Sequence, residues 1–103
     1  MVNWKFKTYK QFVANATKED HLALWVVGLL FEMMGLLYKR NLAPLDLLDD
    51  MLSGNLIRAW ERSEPAILGM RQALHEPQVG EWFEYLYRAM EKRLAKIARE
   101  RHA

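Results

Sequence analysis

The sequence contains no cysteine, and this absence removes several classes of function at once. Disulfide frameworks, thiolate zinc sites, iron–sulfur clusters and cysteine nucleophiles all require that side chain. A secretory leader is not expected, because the small residues Ala14-Asn15-Ala16 come before the long apolar run instead of after it. These features predict a protein of the reducing cytoplasm.

Glycine and proline are few, five and three in 103 residues, and histidine occurs only three times. With 51% apolar residues, the composition excludes disordered, collagen-like and low-complexity chains. The length fits one domain, residues 1–103. No two histidines have helical spacing, and Glu-x-x-His and phosphate-binding glycine loops are missing from the sequence. We therefore expect no metal and no cofactor.

Apolar residues recur at helical spacing along the chain, and no segment alternates as a strand does. The fold is therefore expected to be all-α. Thr17 and the acidic residues after it predict the start of a helix over residues 18–40. A long amphipathic carboxyl-terminal helix is predicted over residues 78–100.

The other segments predict further, shorter helices. Pro44 opens a third helix that residues 53–55 are expected to end, and a short helical piece over residues 56–62 follows. Pro65, in the first turn after a serine cap, opens another helix. The amino-terminal segment carries one helical stripe, made of Val2, Phe6, Tyr9, Val13 and Ala16. Short connections favour a compact bundle of four or five helices.

Residues 22–38 contain a single charged residue, Glu32, and are apolar on nearly all sides. Their number is at the lower limit for crossing a bilayer, and a carboxylate in mid-span costs roughly 2.5 to 3.5 kcal/mol. We therefore expect this helix to be the buried centre of the bundle and not an integral membrane span.

Gly28, Glu32 and Gly35 are spaced by four and three, so they lie on one face of the apolar helix. A glycine inside a helix costs up to about 1 kcal/mol, which indicates a packing reason. We expect another backbone to cross closely at Gly28 and Gly35.

A buried Glu32 carboxylate must be paired or neutralised. The preferred partner is Arg71, with Arg58 and the indole of Trp60 as alternatives. The structural interpretation is a tie that fixes helix register, and the functional one is a general acid or base of raised pKa.

Several motifs together resemble a family of small all-helical bacterial domains of unknown function. They are Phe-Glu-Met-Met-Gly-Leu-Leu at residues 31–37, Phe-Glu-Tyr-Leu at residues 83–86, and Trp60, Pro65 and Arg71. The resemblance spans about residues 22–90 and supports the pairing of Glu32 with Arg71. It implies no activity and no catalytic residue. Family members often follow membrane-anchoring helices, which are not expected here.

Charge is uneven along the chain, with an acidic middle and a basic carboxyl-terminal helix. Phosphates of a nucleic acid are one possible partner of that helix, although long cations also solvate the outer face of any amphipathic helix. The candidate nucleic-acid contacts are Arg88, Lys92, Arg93, Lys96 and Arg99.

Association with another protein chain is the leading functional expectation. Tyr85 falls on a charged face, and the apolar stripe continues through Leu94 to Ile97, beyond what one small bundle covers. These three residues are the candidate interface, and the first helix is the alternative surface for self-association. No catalytic motif or small-molecule substrate emerges, so we expect a non-catalytic interaction or regulatory module that self-associates as a homodimer, with nucleic-acid binding as the alternative.

Overall fold

The computed structural model describes residues 6–101, which form four α-helices and contain no strand. The helices are α1 (Tyr9–Asn15), α2 (Lys18–Lys39), α3 (Leu45–Ala73) and α4 (Glu81–Arg101). The prediction of an all-α fold is confirmed. Val2, the first residue of the predicted amino-terminal stripe, lies outside the described residues.

Threonine side chains cap the first two helices. The Thr8 hydroxyl accepts from the backbone N–H of Gln11 at 3.1 Å. Thr17 and Asp20 form a reciprocal capping box, with bonds of 2.9 and 3.1 Å, so α2 begins where the sequence predicts. Because the macrodipole is positive at this end, the acidic first turn adds to the same effect.

In α1 the fully buried residue is not part of the predicted stripe. Phe12 is buried in a small cluster with Leu24 and Ala66, whereas Val13 is exposed. Phe6, Tyr9 and Ala16 of the predicted stripe pack against this cluster, so the stripe is confirmed at those positions and wrong at Val13. A helix of seven residues is too short for periodicity to fix which side faces the core.

The helix α3 is continuous over 29 residues, so the predicted breaks at residues 53–55 and before Pro65 were wrong. Buried Leu56 follows the first site, while Trp60 and Ile67 flank the second. Burying such side chains contributes roughly 1.5–3 kcal/mol each. The burial of Leu56 alone exceeds the cost of one helical glycine, about 1 kcal/mol. The burial of Trp60 and Ile67 together offsets the cost of an internal proline, roughly 3 kcal/mol.

The main core lies between α4 and α3, with α2 closing one side. The rings of Phe31 and Phe83 stack with centroids 5.1 Å apart, and Trp60 contacts Phe83 edge-on at the same distance. Tyr87 stacks on the other side of Trp60 at 5.7 Å. These aromatic contacts fix the amino-terminal half of α4 against both neighbours.

The structure does not place α2 at the centre of the bundle. Among the described helices α3 contacts all three others, and α4 packs closely against both α2 and α3, while α2 and α3 touch only slightly. Only Leu24, Phe31 and Gly35 of α2 are buried. A helix that is apolar on all sides fits a central or a peripheral position equally, so composition alone did not locate it.

Candidate functional site

One side of α2 carries eight large apolar side chains that face solvent. We call this surface the α2 stripe, and its members are Leu22, Trp25, Val26, Leu29, Leu30, Met33, Leu36 and Leu37. They recur every three or four residues, so they form one ridge along the helix. Trp25, at 71% exposure, is the most exposed of them. Contiguous apolar surface of this kind occurs where folded domains contact other proteins, membranes or ligands.

The opposite side of α2 packs tightly on α4. Gly35 is buried there, and a Cβ atom at that position would overlap the backbone carbonyl of Trp82. Phe31 stacks on Phe83 one turn earlier, and the rings of Tyr38 and Tyr85 are 5.8 Å apart one turn later. The close backbone crossing expected at Gly35 is therefore present in the structure.

Glu32 connects α2 to the beginning of α4. Its Oε1 accepts a hydrogen bond of 2.7 Å from the backbone N–H of Phe83, in the first turn of α4. That amide has no partner inside its own helix, and a carboxylate at a helix amino terminus also interacts favourably with the macrodipole. Glu32 is thus a capping group supplied by a neighbouring helix.

The predicted ion pair between Glu32 and Arg71 is replaced by two separate interactions. Arg71 Nη1 lies 2.9 Å from Glu84 Oε1, and its Nε donates to the carbonyl of Val79 at 2.7 Å. Arg71 therefore holds the loop before α4 and its first turn. The free N–H of Phe83 is a backbone donor that side-chain charges in the sequence do not reveal, so the sequence favoured the wrong partner.

The alternatives for Glu32 also have other partners. Arg58 donates to the Asn55 side chain at 2.8 Å, and the indole N–H of Trp60 donates to Glu64 at 3.1 Å. Both bonds stay within α3. None of the three predicted partners therefore binds Glu32, which accepts its hydrogen bond from the backbone N–H of Phe83.

Gly28, unlike Gly35, is not at a helix crossing. No atom lies within 4 Å of the place that its Cβ would occupy, so the expectation of close packing there is corrected. Gly28 instead lines a groove of about 600 Å³, which we call the α2 groove. Its floor includes Phe12, Ile67 and Phe83, and Glu32 lines it as well.

The predicted interface residues of α4 are already engaged within the chain. Tyr85 contacts the rings of Tyr38 and Trp82, at 5.8 and 5.9 Å. Leu94 packs against the main core, and Ile97 is half-buried. Tyr85 nevertheless remains 40% exposed, so α4 keeps some free apolar surface at this position.

The predicted nucleic-acid contacts divide into two groups. Arg88 lies within 4 Å of three glutamates, 3.7 Å from Glu64 and 3.5 Å from Glu84 among them, and Arg93 pairs with Asp49 at 2.8 Å. Lys92, Lys96 and Arg99 are exposed, and no carboxylate of residues 6–101 lies within ion-pair distance of them.

The pair of Arg93 and Asp49 joins α4 to α3 away from α2. The hydrogen bond from Arg93 lowers the pKa of Asp49 below its ordinary range, and the bond from the Ser53 hydroxyl acts in the same direction. The same hydrogen bond raises the pKa of Arg93. Burial raises the pKa of Tyr87, whose hydroxyl donates to Glu91 at 2.9 Å.

Within residues 6–101, no three histidine, aspartate or glutamate side chains gather where they would hold a metal ion. Judged by length and composition, α2 is the single helix in that range that meets the requirements for crossing a membrane. A core helix and a leader near the amino terminus meet the same requirements. Only 17% of its most apolar stretch is buried, which is low for a core helix.

The α2 stripe was not predicted, although the arrangement of small residues in the sequence indicates it. Gly28, Glu32 and Gly35 share one face, and the large residues Leu30, Met33 and Leu37 lie on the other side of the helix. A face that holds glycine and a carboxylate is expected to pack against other parts of the same chain. The face without them is therefore the candidate free surface.

Fold and site together define a small all-α domain with an exposed apolar helix side. The chain belongs to a family described as a domain of unknown function, DUF4760, which matches residues 5–90. This confirms the resemblance found over residues 22–90. No curated protein and no solved structure matches the chain. The matched region contains the α2 stripe and the α2 groove but not the last eleven residues of α4.

Proposed function

We propose that the protein is a non-catalytic interaction module that forms a homodimer through the α2 stripe. The observation that carries the proposal is the uninterrupted exposed apolar surface from Leu22 to Leu37, in which no side chain of the stripe is charged or polar. A second copy offers the same surface. An isologous contact, in which each copy uses one patch, therefore covers both stripes at once.

The exposed surface of the chain supports the proposal. The molecule is elongated, 46 × 29 × 21 Å, and exposes 7261 Å². A monomer of 12.2 kDa is expected to expose about 6,100 Å². The chain thus exposes more surface than a compact domain of its mass, and the eight side chains of the α2 stripe belong to that exposed surface.

A dimer also keeps α2 in the place where the rest of the chain holds it. The contacts of Phe31, Glu32 and Gly35 all join α2 to α4. The helix α4 carries many charges, so it cannot follow α2 into a bilayer. Insertion of α2 would break these contacts, whereas a second copy on the α2 stripe leaves them intact.

The test is the molar mass of the purified full chain and of Met33→Glu, measured by light scattering on a size-exclusion column. Met33 is 57% exposed in the α2 stripe, so a charge there is tolerated by the monomer but is buried unpaired in the dimer. We expect a dimeric wild type and a monomeric, folded variant. Dimerisation that persists at high salt distinguishes apolar contact from charge pairing.

Met51→Glu is the matched control. It changes the same residue type at nearly the same exposure, 59%, but on α3. We expect this variant to remain dimeric. A monomeric wild type, or dissociation by Met51→Glu and not by Met33→Glu, would contradict the proposal. Binding of the wild-type monomer to neutral phosphatidylcholine vesicles, lost in Met33→Glu, would assign the α2 stripe to a membrane surface instead.

Nucleic-acid binding is the second candidate, and a specific observation favours it. Lys92, Lys96 and Arg99 are spaced by four and three, so they form an exposed cationic row on α4 without acidic partners in the described residues. This function predicts binding to duplex DNA that weakens steeply with salt and is lost in Lys96→Glu. Equal binding by wild type and Lys96→Glu would remove it.

A further inference from the structure

We infer that the α2 groove is a binding site for an anionic amphiphile with one long acyl chain, such as a free fatty acid. The groove, of about 600 Å³, lies beside the α2 stripe, where α2 faces α1 and α3. Its volume is within the range of about 300–1,000 Å³ that small-molecule sites occupy. Leu22, Trp25 and Leu29 belong both to the α2 stripe and to the wall of the groove, whereas the rest of the stripe does not line it.

The interior of the groove is suited to a hydrocarbon chain. Its floor consists of Phe12, Ile67, Met70 and Phe83, all apolar. Gly28 opens the middle of the groove, because any side chain there would project into the open space. An apolar cavity bounded by such residues gains most from a ligand that has no polar groups along its length.

The two ends of the groove carry opposite charge. Lys18 and His21 line the end at the amino terminus of α2, and no carboxylate of residues 6–101 forms an ion pair with Lys18. Nearby Asp20 is held in the capping box, bonded to the backbone N–H of Thr17, and Glu19 is exposed. The ammonium group of Lys18 and the positive end of the helix macrodipole both favour an anion here.

Glu32 determines the orientation of the ligand. It lies 14 residues beyond Lys18, about 21 Å along the helix at 1.5 Å per residue. A carboxylate at that end repels an anionic head group, so the head group belongs with Lys18 and His21. The acyl chain then runs along Gly28 towards Phe83.

The test measures competition by oleate for a fluorescent fatty acid bound to the full chain, with oleyl alcohol as the uncharged comparison. In Gly28→Leu, we expect at least a tenfold loss of oleate affinity, because the leucine side chain fills the groove. The folded state should not suffer, since leucine is a better helix former than glycine and meets no atom at its Cβ. Gly28→Ala, which fills less volume, should lose less affinity.

Lys18→Glu tests the head-group assignment. We expect wild type to prefer oleate to oleyl alcohol by roughly tenfold, as a charge-assisted contact provides, and the variant to lose that preference. Met33→Glu is the control, because Met33 belongs to the α2 stripe but does not line the groove. It should bind oleate as wild type does, even as a monomer.

Several results would overturn the inference. They are a wild type that does not bind oleate, a Gly28→Leu variant that is folded and binds it with unchanged affinity, and equal affinity of wild type for oleate and oleyl alcohol. Loss of oleate binding in Met33→Glu would move the ligand to the α2 stripe and also overturn it. The oligomeric state of Gly28→Leu, measured in parallel, reports separately on the dimer.

Discussion

On one side of α2, Gly35 lies against the backbone of Trp82, whereas on the other side Trp25 is 71% exposed. Both sides consist mainly of large apolar residues and differ chiefly in where the small and charged ones occur. The packed side has Gly35 and borders Glu32, which binds the first turn of α4. The α2 stripe has neither. Apolar character therefore says little about which side of this helix is buried. The positions of Gly35 and Glu32, which are not large apolar residues, say more.

The two glycines of α2 make the same comparison within one helix. They are seven residues apart, or about two turns. Gly35 permits the backbone of α4 to approach, and Gly28 leaves the α2 groove open. A glycine in a helix thus indicates a place without a side chain. The reason can be a neighbouring backbone, as at Gly35, or an open cavity, as at Gly28.

Gly35→Ala is expected to have the largest effect on the packed side. The new methyl group would overlap the carbonyl of Trp82, so α2 and α4 must separate. Overpacking of this kind costs about 1–3 kcal/mol, and a backbone neighbour that cannot turn away places the cost at the upper end. The free energy of unfolding, measured by urea denaturation, should fall accordingly.

Gly28→Ala is the matched control in the same helix. Its methyl group meets nothing within 4 Å, and alanine is a better helix former by up to about 1 kcal/mol. The free energy of unfolding should therefore rise. If the two substitutions changed stability in the same direction, the two sides of α2 would not differ as described.

Glu32→Ala should have the next largest effect. It removes the acceptor for the Phe83 N–H, and the loss of a helix cap costs about 0.5–2 kcal/mol. Glu32→Gln keeps an acceptor oxygen but loses the charge. Its free energy of unfolding should therefore fall less, by the roughly 0.3–1 kcal/mol that a charge contributes at a helix amino terminus. Thermal unfolding followed by circular dichroism measures both variants. Wild-type stability in Glu32→Ala would show that the bond contributes nothing.

Much of the fold followed from local sequence. The start of α2 at Thr17 depends on two side chains three residues apart, and the helical spacing of α4 is fixed by its own residues. Neither requires knowledge of what packs nearby. By contrast, the continuity of α3 through Pro65 depends on the burial of Trp60 and Ile67. Tertiary packing there overrides the local preference.

The candidate site was less accessible to sequence reasoning. The importance of Glu32 was visible in its position between two glycines, but its partner is a backbone N–H of Phe83, 51 residues away. Backbone donors are present at every residue, so composition does not single one out. The α2 stripe became apparent only when the structure showed that one side of α2 packs on α4 and the other side faces solvent.

Asp49→Asn should have the smallest effect, and it separates the packing of α4 from that of α2. The Arg93–Asp49 bond ties α4 to α3 and touches neither side of α2. The variant should therefore be slightly less stable at neutral pH and dimerise as wild type does. A change in oligomeric state would mean that the position of α4 controls the α2 stripe from a distance.

The pH dependence of this small effect has a definite sign. The pKa of Asp49 is lowered in the folded state. Its carboxylate therefore stabilises the fold at every pH above the ordinary aspartate pKa, which is about 4. That contribution disappears as the pH falls through the lowered pKa and the folded protein binds the proton. The difference in free energy of unfolding between wild type and Asp49→Asn should be constant near neutral pH and shrink below about pH 4. A difference that grows on acidification would mean that Arg93 does not hold Asp49 in its charged form.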